Sequence, residues 1–502
     1  MDPMQNEYRS TPEGGFSAAH DEDAMRVQRL FPEIGSLVRL ASYQHAEKPA
    51  FVTYLPNGGS GSLSFSEVDE YSAAFAAYLT KSIGLRKGDR VAIQLPNCLS
   101  YAVCALGVLR SGFVLVNINP ILSERHVIEA LRDSGARVLV ASSFHAEKLE
   151  RVLGLTAVRS LISASIADFF PIWSRSLIEF AIRLRSKKKP RDNRIICLEN
   201  ALELGLHQTP WTVGIETTPT PYDVAMFQYT GGTTGTSKAA MLTHANIAVS
   251  VSQIVSNLQH RVDSHRDTIL TTIPLSNSFS FIMNFLSFFW MGTKNILVPF
   301  SRPLTNLRRI MEDQKITWMV GAPNFYRSLL GESWFIKNPP LSLKAALAFG
   351  MALQREIAEE FVYITGAPLV EGYGLAEACS VVTLNSLRGE SVFPNSVGLP
   401  LGNTEMGLVD SKGCSIAVGN IGELVIRGAQ IMIGYWNRPD ATARALRGGW
   451  LYTGDEAQYL EDGSYRLLGR KKGTEEIAKK EEITIVTNSE GEKESIFAEF
   501  SF

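Results

Sequence analysis

One stretch of the chain combines glycines, hydroxyl residues and a lysine at a spacing that suits the binding of phosphate groups. The stretch reads Phe227-Gln228-Tyr229-Thr230-Gly231-Gly232-Thr233-Thr234-Gly235-Thr236-Ser237-Lys238. Glycines let backbone N–H groups approach phosphate oxygens, hydroxyl groups donate hydrogen bonds or bind a metal ion, and lysine contributes a positive charge. The Walker P-loop is excluded because its second glycine directly precedes the lysine, where this chain has Ser237. Composition alone favours an ordinary surface loop.

The residues on either side predict the elements that hold this loop. Its front end is apolar and aromatic, which favours a strand. Thr243 is a good N-cap for a helix over residues 244–258, in which apolar residues recur on one face. The predicted order is therefore strand, glycine-rich turn, lysine and helix.

Strands and helices alternate along most of the chain. The sequence predicts strands at 91–95, 113–117, 136–141, 269–274 and 294–299, and helices at 64–79, 101–110, 125–133, 284–291 and 304–314. This alternation predicts two α/β units in series, each with a doubly wound and mainly parallel sheet. After residue 390, glycines punctuate short β-prone runs, which predicts a small β-barrel-like unit.

The predicted organisation has three parts. Residues 1–29 are predicted to be disordered, and residues 30–472 to form a large domain. Within that domain the α/β units cover about 30–390 and the β unit about 391–470. Residues 473–502 are charge-rich and too few for a domain, whose usual minimum is roughly 50 residues.

The composition is that of an ordinary globular protein, with 502 residues, 45% apolar residues and a formal net charge of −2. This charge gives no indication of nucleic-acid binding. Five scattered cysteines without metal-ligand spacing predict reduced thiols and a cytoplasmic location. The N-terminus lacks the apolar core of a signal peptide, and the longest apolar stretch, residues 279–291, is too short to span a bilayer.

The string from Tyr229 to Lys238 closely resembles the phosphate-binding signature of the adenylate-forming superfamily, which includes acyl-CoA synthetases, acyl-AMP ligases and peptide-synthetase adenylation domains. Three further stretches match the same family: VEGYGLAE at 370–377, GWLYTGD at 449–455 and GRKK at 469–472. The resemblance covers about residues 30–472 and is strongest with bacterial long-chain fatty-acid–CoA ligases. It implies two stacked doubly wound α/β units followed by a small β-barrel-like unit, the large domain of adenylate-forming enzymes.

The resemblance also implies a two-step reaction. A fatty carboxylate attacks the α-phosphate of Mg²⁺–ATP and releases pyrophosphate, and the acyl-AMP then reacts with the thiol of coenzyme A. The implied substrates are a fatty acid, ATP and coenzyme A, with Mg²⁺ as cofactor. Asn277 stands where the family places a residue beside the acyl carboxylate. Phe279 begins an apolar stretch that suits an acyl channel, although it suits ordinary core as well.

The family's site residues carry over onto matching positions of this chain. The resemblance implies that Tyr373 stacks on adenine, that Asp455 accepts the ribose hydroxyls and that Arg470 contacts the ribose. The implied catalytic residues are Lys238, Glu377 and Thr233, and Glu377 with Thr233 or Thr234 is the implied Mg²⁺ site. The complete implied nucleotide site comprises Thr230, Gly231, Gly232, Thr233, Thr234, Gly235, Lys238, Gly350, Glu371, Gly372, Tyr373, Gly374, Asp455 and Arg470.

The chain departs from the family pattern at three places, the weakest of which is Asn277, where the family commonly has an aromatic residue or histidine. Ala376 stands where the family has a threonine whose hydroxyl lies near the α-phosphate. If that hydroxyl stabilises the transition state, the lack of it would lower the adenylation rate on the order of a hundredfold. From Gly473 onward the family's hinge and C-terminal domain are not matched, so no candidate for that domain's catalytic lysine can be named. Residues 473–502 are predicted to be an aberrant tail, arising from a frameshift or belonging to the protein.

Three functions remain open on the sequence alone. The first is a fatty-acid–CoA ligase with reduced or lost turnover, the second is a non-catalytic protein that binds ATP or acyl-AMP, and the third is an adenylating enzyme that serves a carrier protein. Residues 161–191 run from apolar to basic, which fits either a surface helix or peripheral contact with the inner face of a membrane.

Overall fold

A computed structural model describes residues 16–18, 21–143, 146–176, 178, 192–208, 218–230, 237–387 and 396–470. Within these residues the strands, numbered in chain order from β1 to β23, form three sheets. One continuous buried cluster draws on all three sheets, since it contains Ile93, Leu347 and Ile426. The sheets therefore share a core instead of forming independent units.

Among the described residues, the first sheet has eight strands. In spatial order they are β20 (Gly434–Tyr435), β10 (Lys238–Thr243), β9 (Val224–Thr230), β5 (Val114–Asn117), β4 (Arg90–Gln94), β6 (Val138–Ser142), β7 (Ser160–Ala164) and β8 (Ile195–Cys197). The six strands from β9 to β8 run parallel, whereas β10 and β20 are antiparallel additions at one edge.

The second sheet, as far as the structure describes the chain, has nine strands and is also mainly parallel. In spatial order they are β17 (Leu399–Pro400), β16 (Ser380–Leu384), β15 (Leu369–Leu375), β14 (Ala345–Ala348), β13 (Trp318–Gly321), β11 (Thr268–Thr271), β12 (Lys294–Leu297), β2 (Pro49–Tyr54) and β3 (Ser60–Ser64). The strands from β15 to β2 run parallel, and antiparallel strands close both edges.

The third sheet is antiparallel throughout and contains most of the glycine-punctuated region. Its strands are β1 (Phe16–Ala18), β18 (Glu405–Val409), β19 (Ile421–Arg427), β22 (Trp450–Tyr459) and β21 (Leu446–Arg447), with β23 (Tyr465–Arg470) paired to β22. Two short strands of the same region join the other sheets, because β17 and β20 pair with β16 and β10.

Helices connect the strands. In the described part of the chain, the α-helices are Glu22–Leu30, Ile34–His45, Phe65–Ala77, Leu99–Arg110, Glu124–Ser134, Ala146–Leu155, Leu198–Leu206, His244–Leu258, Phe288–Trp290, Thr305–Asp313, Pro323–Leu330, Ser333–Lys337, Arg355–Thr365 and Pro439–Ala445, and residues 172–176 are helical as well. The π-helices are Tyr78–Ser82 and Ser280–Ser287, and a 3₁₀ turn covers Ala376–Ala378. Helix Phe65–Ala77 begins with a capping box, in which Ser64 Oγ accepts the Glu67 N–H at 3.2 Å and Glu67 Oε2 accepts the Ser64 N–H at 2.7 Å.

The N-terminal segment differs from its prediction. Residues 1–29 are predicted to be disordered, yet β1 pairs with β18 and a helix covers Glu22–Leu30. Asp21 caps this helix by accepting the Ala24 N–H at 2.8 Å, and Ala24 and Val27 are buried. The prediction was wrong for these residues because their few apolar side chains pack against the distant helix His244–Leu258.

Two local predictions also needed correction. The sequence predicts no strand between the lysine and the helix that begins at residue 244, but β10 begins at Lys238 and forms a hairpin with β9. The buried Ala239, Ala240 and Leu242 explain this extra strand. The helix predicted at 284–291 begins earlier, as the π-helix Ser280–Ser287, in which Ser287 Oγ donates to Ile282 O at 2.8 Å, five residues back.

Candidate functional site

Among the described residues, predicted nucleotide-site positions lie on strands of all three sheets. β15 carries Glu371 and Tyr373, β22 carries Asp455, and Lys238 begins β10. Because β14 and β15 are parallel neighbours, their carboxyl ends lie at the same edge, and Gly350 follows β14 there. Ligands commonly bind beyond the carboxyl ends of the strands in open α/β sheets.

Tyr373, Asp455 and Arg470 form one connected group. The Tyr373 hydroxyl donates to Asp455 Oδ2 at 2.6 Å, and Arg470 Nε lies 3.0 Å from Asp455 Oδ1. Arg470 also donates to Thr453 O at 2.8 Å, and Thr453 Oγ1 accepts the Asp455 N–H at 3.0 Å. The structure therefore joins two sheets through three residues that the sequence predicts for adenine and ribose.

Burial governs the ionisation of this group. It raises the pKa of Asp455 above its ordinary value, although Arg470 and the Tyr373 hydrogen bond act in the opposite direction. Burial, reinforced by the negative charge of Asp455, raises the pKa of Tyr373 well above its ordinary value, so the phenol stays protonated as a donor. Burial also raises the pKa of Glu371 to about 7, against a weaker opposing hydrogen bond from the Leu353 backbone.

Glycines allow close backbone packing in the segment that contains Tyr373. A Cβ atom on Gly374 would lie 1.5 Å from Ser380 O, and one on Gly372 would lie 2.4 Å from Phe349 Cε1. Neither position therefore accepts a side chain without movement of its surroundings. The Phe349 ring that covers Gly372 also contacts Phe279, with ring centroids 4.1 Å apart.

The described ends of the glycine-rich loop lie side by side. Thr230 and Lys238 are paired residues of the β9–β10 hairpin, and Ser237 Oγ donates to Thr230 O at 2.9 Å. The predicted phosphate residues Gly231, Gly232, Thr233, Thr234 and Gly235 lie outside the described residues.

Glu377 and Lys238 share a neighbour that the sequence did not single out. The Tyr435 hydroxyl donates to Glu377 Oε1 at 2.7 Å, and Lys238 Nζ lies 4.9 Å from the centroid of the Tyr435 ring. The signal for Tyr435 was present in the string Gly434-Tyr435-Trp436, which fits the family without indicating these contacts.

The donor set of Glu377 fits Mg²⁺. The described residues contain no cluster of three or more histidine, cysteine, aspartate or glutamate side chains able to hold a metal ion. Mg²⁺ is nevertheless often held by one carboxylate together with substrate phosphates, and the chemistry of the Glu377 side chain fits that role. A phosphate-bound ion of this kind needs no closed protein cage.

Asn277 and Ala376, the two remaining positions, each lie in a turn of the chain. Asn277 Oδ1 accepts the Phe279 N–H at 2.8 Å, so this oxygen fixes the turn before the π-helix. Ala376 begins the 3₁₀ turn that carries Glu377, and it is half-buried there. Its methyl group leaves this position without a hydroxyl donor.

Comparisons with known proteins identify the family to which this chain is similar. Residues 38–436 match the family described as AMP-binding enzyme. The chain is 36% identical over 442 residues to a long-chain-fatty-acid–CoA ligase of Salmonella typhimurium, covering 87% of this chain and 77% of that protein. It is 36% identical over 431 residues to a long-chain-fatty-acid–CoA ligase of Escherichia coli O157:H7, covering 86% and 75%.

The chain belongs to the AMP-binding enzyme family. Its predicted class, an enzyme related to acid–thiol ligases of the long-chain fatty-acid–CoA type, is thereby confirmed. No described helix of this AMP-binding enzyme is long and apolar enough to cross a membrane.

Solved structures support the predicted fold of this AMP-binding enzyme. The anthranilate CoA ligase AuaEII, in complex with anthranoyl-AMP, matches with a TM-score of 0.75 at 22% identity, covering 88% of this chain and 78% of that one. A long-chain-fatty-acid–CoA ligase from Archaeoglobus fulgidus matches with a TM-score of 0.72 at 23% identity, covering 87% and 84%. The α/β fold of the large domain of adenylate-forming enzymes is thus confirmed.

Proposed function

We propose that this AMP-binding enzyme activates a long-chain fatty acid with ATP to acyl-AMP and transfers the acyl group to coenzyme A. The connected group of Tyr373, Asp455 and Arg470 is the observation that carries the proposal. It presents a largely enclosed carboxylate, a guanidinium and a buried aromatic ring at the meeting point of the sheets, in a chain 36% identical to long-chain-fatty-acid–CoA ligases.

The nucleoside is held by polar contacts in this proposal. A carboxylate has about four lone-pair positions, so Asp455 can accept both ribose hydroxyls and keep its bonds to Tyr373 and Arg470. Tyr373 stacks on adenine, and the backbone of Gly372 and Gly374 lets the base approach. Hydrogen bonds to the charged Asp455 carboxylate fix the nucleotide because charge-assisted bonds are stronger than bonds between neutral groups.

Charge neutralisation drives the first step. Lys238 and the loop residues 230–235 hold the β- and γ-phosphates, where the lysine offsets the negative charge that repels an incoming carboxylate. Glu377, with Thr233 or Thr234, would hold Mg²⁺, which when bound neutralises phosphate charge. Asn277 and Phe279 face the fatty acid at its carboxylate and first methylenes in this assignment.

Contact with a membrane surface is a further part of the proposal. Ile172 and Trp173, among the helical residues 172–176, have exposed fractions of 84% and 71%. An adjacent isoleucine and tryptophan in water suit the interface of a bilayer. The basic residues predicted to assist them, 183–191, lie outside the described residues. We assign the enzyme to the cytoplasm and this helix to the inner face of the membrane.

The experiment that tests the function is fatty-acid-dependent exchange of pyrophosphate into ATP by the 502-residue chain, across short to long acids, followed by assay of acyl-CoA. Exchange with long acids and release of acyl-CoA is the expected result. Exchange without acyl-CoA would point to a different acyl acceptor, such as a carrier protein. Binding of Mg²⁺–ATP without exchange for any acid would mean a nucleotide-binding protein that does not catalyse the reaction.

A further inference from the structure

Tyr435 stands between two residues that the proposed function places in the phosphate and metal site. Its side chain is buried, and its backbone belongs to β20, which pairs with β10 so that Tyr435 lies opposite Ala240. Its N–H donates to Thr442 Oγ1 at 2.9 Å. The position of the ring is therefore fixed by the backbone on both sides.

The hydroxyl and the ring of Tyr435 contact different residues. Its hydroxyl donates to Glu377 Oε1 at 2.7 Å, and the direction is set because a carboxylate can only accept. Its ring lies under Lys238 Nζ at 4.9 Å from the centroid, within the range of a cation–π contact. One side chain thus contacts both an anionic and a cationic group.

A second contact holds the same residues together. Met432 N–H donates to Glu377 O at 2.8 Å, which ties the segment before Tyr435 to the backbone of Glu377. The carboxylate is consequently oriented from its backbone and from its side chain. Removal of a group that orients a metal-binding carboxylate commonly lowers metal affinity or activity by about 10–100-fold.

From these contacts we infer that Tyr435 is a positioning residue, which orients the Glu377 carboxylate toward Mg²⁺ and the Lys238 ammonium toward the β- and γ-phosphates. The inference rests on the proposed function, because it takes Glu377 and Lys238 as the metal and phosphate ligands. Tyr435 itself touches no reacting atom. Its hydroxyl affects binding only when the nucleotide carries Mg²⁺, whereas its ring, through Lys238, affects binding of any nucleotide that carries a polyphosphate.

The test measures nucleotide binding by calorimetry on the full chain, with three probes: Mg²⁺–ATP, ATP in excess EDTA, and AMP. Tyr435→Phe removes the hydroxyl and keeps the ring, so its affinity for Mg²⁺–ATP should fall about tenfold while affinities for AMP and metal-free ATP stay the same. Tyr435→Leu also removes the ring, and its affinity for metal-free ATP should fall about threefold as well.

Tyr54→Phe is the matched control, because Tyr54 also donates its hydroxyl to a carboxylate, that of Asp313. We expect this variant to bind all three probes as the unmodified chain does. Thermal melting confirms that each variant is folded, and Tyr435→Phe suffices for the test if Tyr435→Leu does not fold.

Unchanged Mg²⁺–ATP affinity in Tyr435→Phe would overturn the inference, and so would an equal loss of AMP affinity, which would indicate general damage. Pyrophosphate exchange by the unmodified chain, together with no effect of Tyr435→Phe, would refute the positioning role and leave the proposed function intact. Mg²⁺–ATP binding that depends on Tyr435, with no exchange for any acid, would support the positioning role and refute the proposed function.

Discussion

Asp455 and Arg470 are paired residues on the neighbouring strands β22 and β23, and their side chains form an ion pair of 3.0 Å. The exposed fraction is 13% for the Asp455 side chain and 49% for that of Arg470. The carboxylate is thus the enclosed partner and the guanidinium the accessible one. This asymmetry indicates that Asp455 is the more sensitive position for nucleotide binding.

Replacing Asp455 should weaken ATP binding. Asp455→Ala removes both acceptors for the ribose, and we expect affinity for ATP to fall about a hundredfold or more, since each of the two bonds to the charged group contributes about 1.5–3 kcal/mol. Calorimetry measures the change. Glu405→Gln is a suitable control because Glu405 pairs with Arg427 on the same sheet. Equal affinity in Asp455→Ala and the unmodified chain would refute the ribose assignment.

Restoring a hydroxyl at Ala376 should accelerate adenylation. Ala376→Thr adds a donor beside Glu377, and if the donor reaches the α-phosphate the exchange rate should rise, by up to about a hundredfold. Ala376→Val has nearly the same shape without the hydroxyl, and it should give no increase. A rate that is the same for all three chains would remove this position from the mechanism.

The contact between Phe279 and Phe349 should limit the acyl chain. The two rings lie 4.1 Å apart beside Gly372, and the π-helix beyond them is completely buried. Phe349→Ala opens space there, so we expect the ratio of kcat/KM for long over short acids to rise about tenfold, while KM for ATP stays constant. An unchanged ratio would show that the acyl chain takes another path.

Stability should decline in acid because of His244. Burial, and to a lesser degree the charge of Lys87, lowers the pKa of His244 to about 4 from 6.5. Between these values the unfolded chain binds the proton more readily, so stability present above pH 6.5 is lost as the pH falls toward 4. We expect the free energy of unfolding in urea to be about 2 kcal/mol lower at pH 5 than at pH 7.5 from this group.

The variant His244→Gln separates this contribution from others. His244 Nδ1 accepts the Ile34 N–H at 3.3 Å, and a glutamine oxygen can replace that acceptor without titrating. The slope should become shallower without vanishing, since burial also lowers the pKa of the half-buried His45 to about 4. An identical slope in the variant would exclude His244 as its source.

Membrane contact should depend on two exposed side chains. The double variant Ile172→Ser and Trp173→Ser should sediment less with anionic vesicles than the unmodified chain, by about tenfold in partition coefficient. Tyr363→Ser is the control, because Tyr363 is 90% exposed on another helix. Deleting 161–191 is unsuitable, since Leu161 and Ile162 are buried in β7. Equal sedimentation of both variants would argue against the patch.

Much of the fold could be predicted where local signals agree. The helix His244–Leu258 has the predicted bounds because Thr243 caps it and its apolar residues repeat with the helical period. β10 was missed because its apolar run is short and does not alternate, and only pairing with β9 reveals it as a strand. The placement of β2 beside β12 likewise depends on residues far away in the chain.

The candidate site likewise combines residues that the sequence predicts with contacts that only the structure reveals. Strings of residues located Tyr373, Asp455 and Arg470, and the structure brings these three together. The contacts of Tyr435 were not predictable, because they arise only when β20 pairs with β10 and the turn of Glu377 packs beside it. Sequence strings identify which residues belong to a site, whereas long-range pairing decides which of them touch.

The pairing of β2 with β12 has a consequence for biosynthesis. Phe51 lies opposite Asn295, and it stacks on Phe285 at 4.8 Å between centroids. The ribosome therefore synthesises β2 long before β12, and until β12 is made the edge of β2 that pairs with it stays unpaired. Chains of this topology fold slowly and expose surfaces that chaperones recognise. Translation interrupted before residue 294 should leave a nascent chain that depends on chaperones to stay out of aggregates.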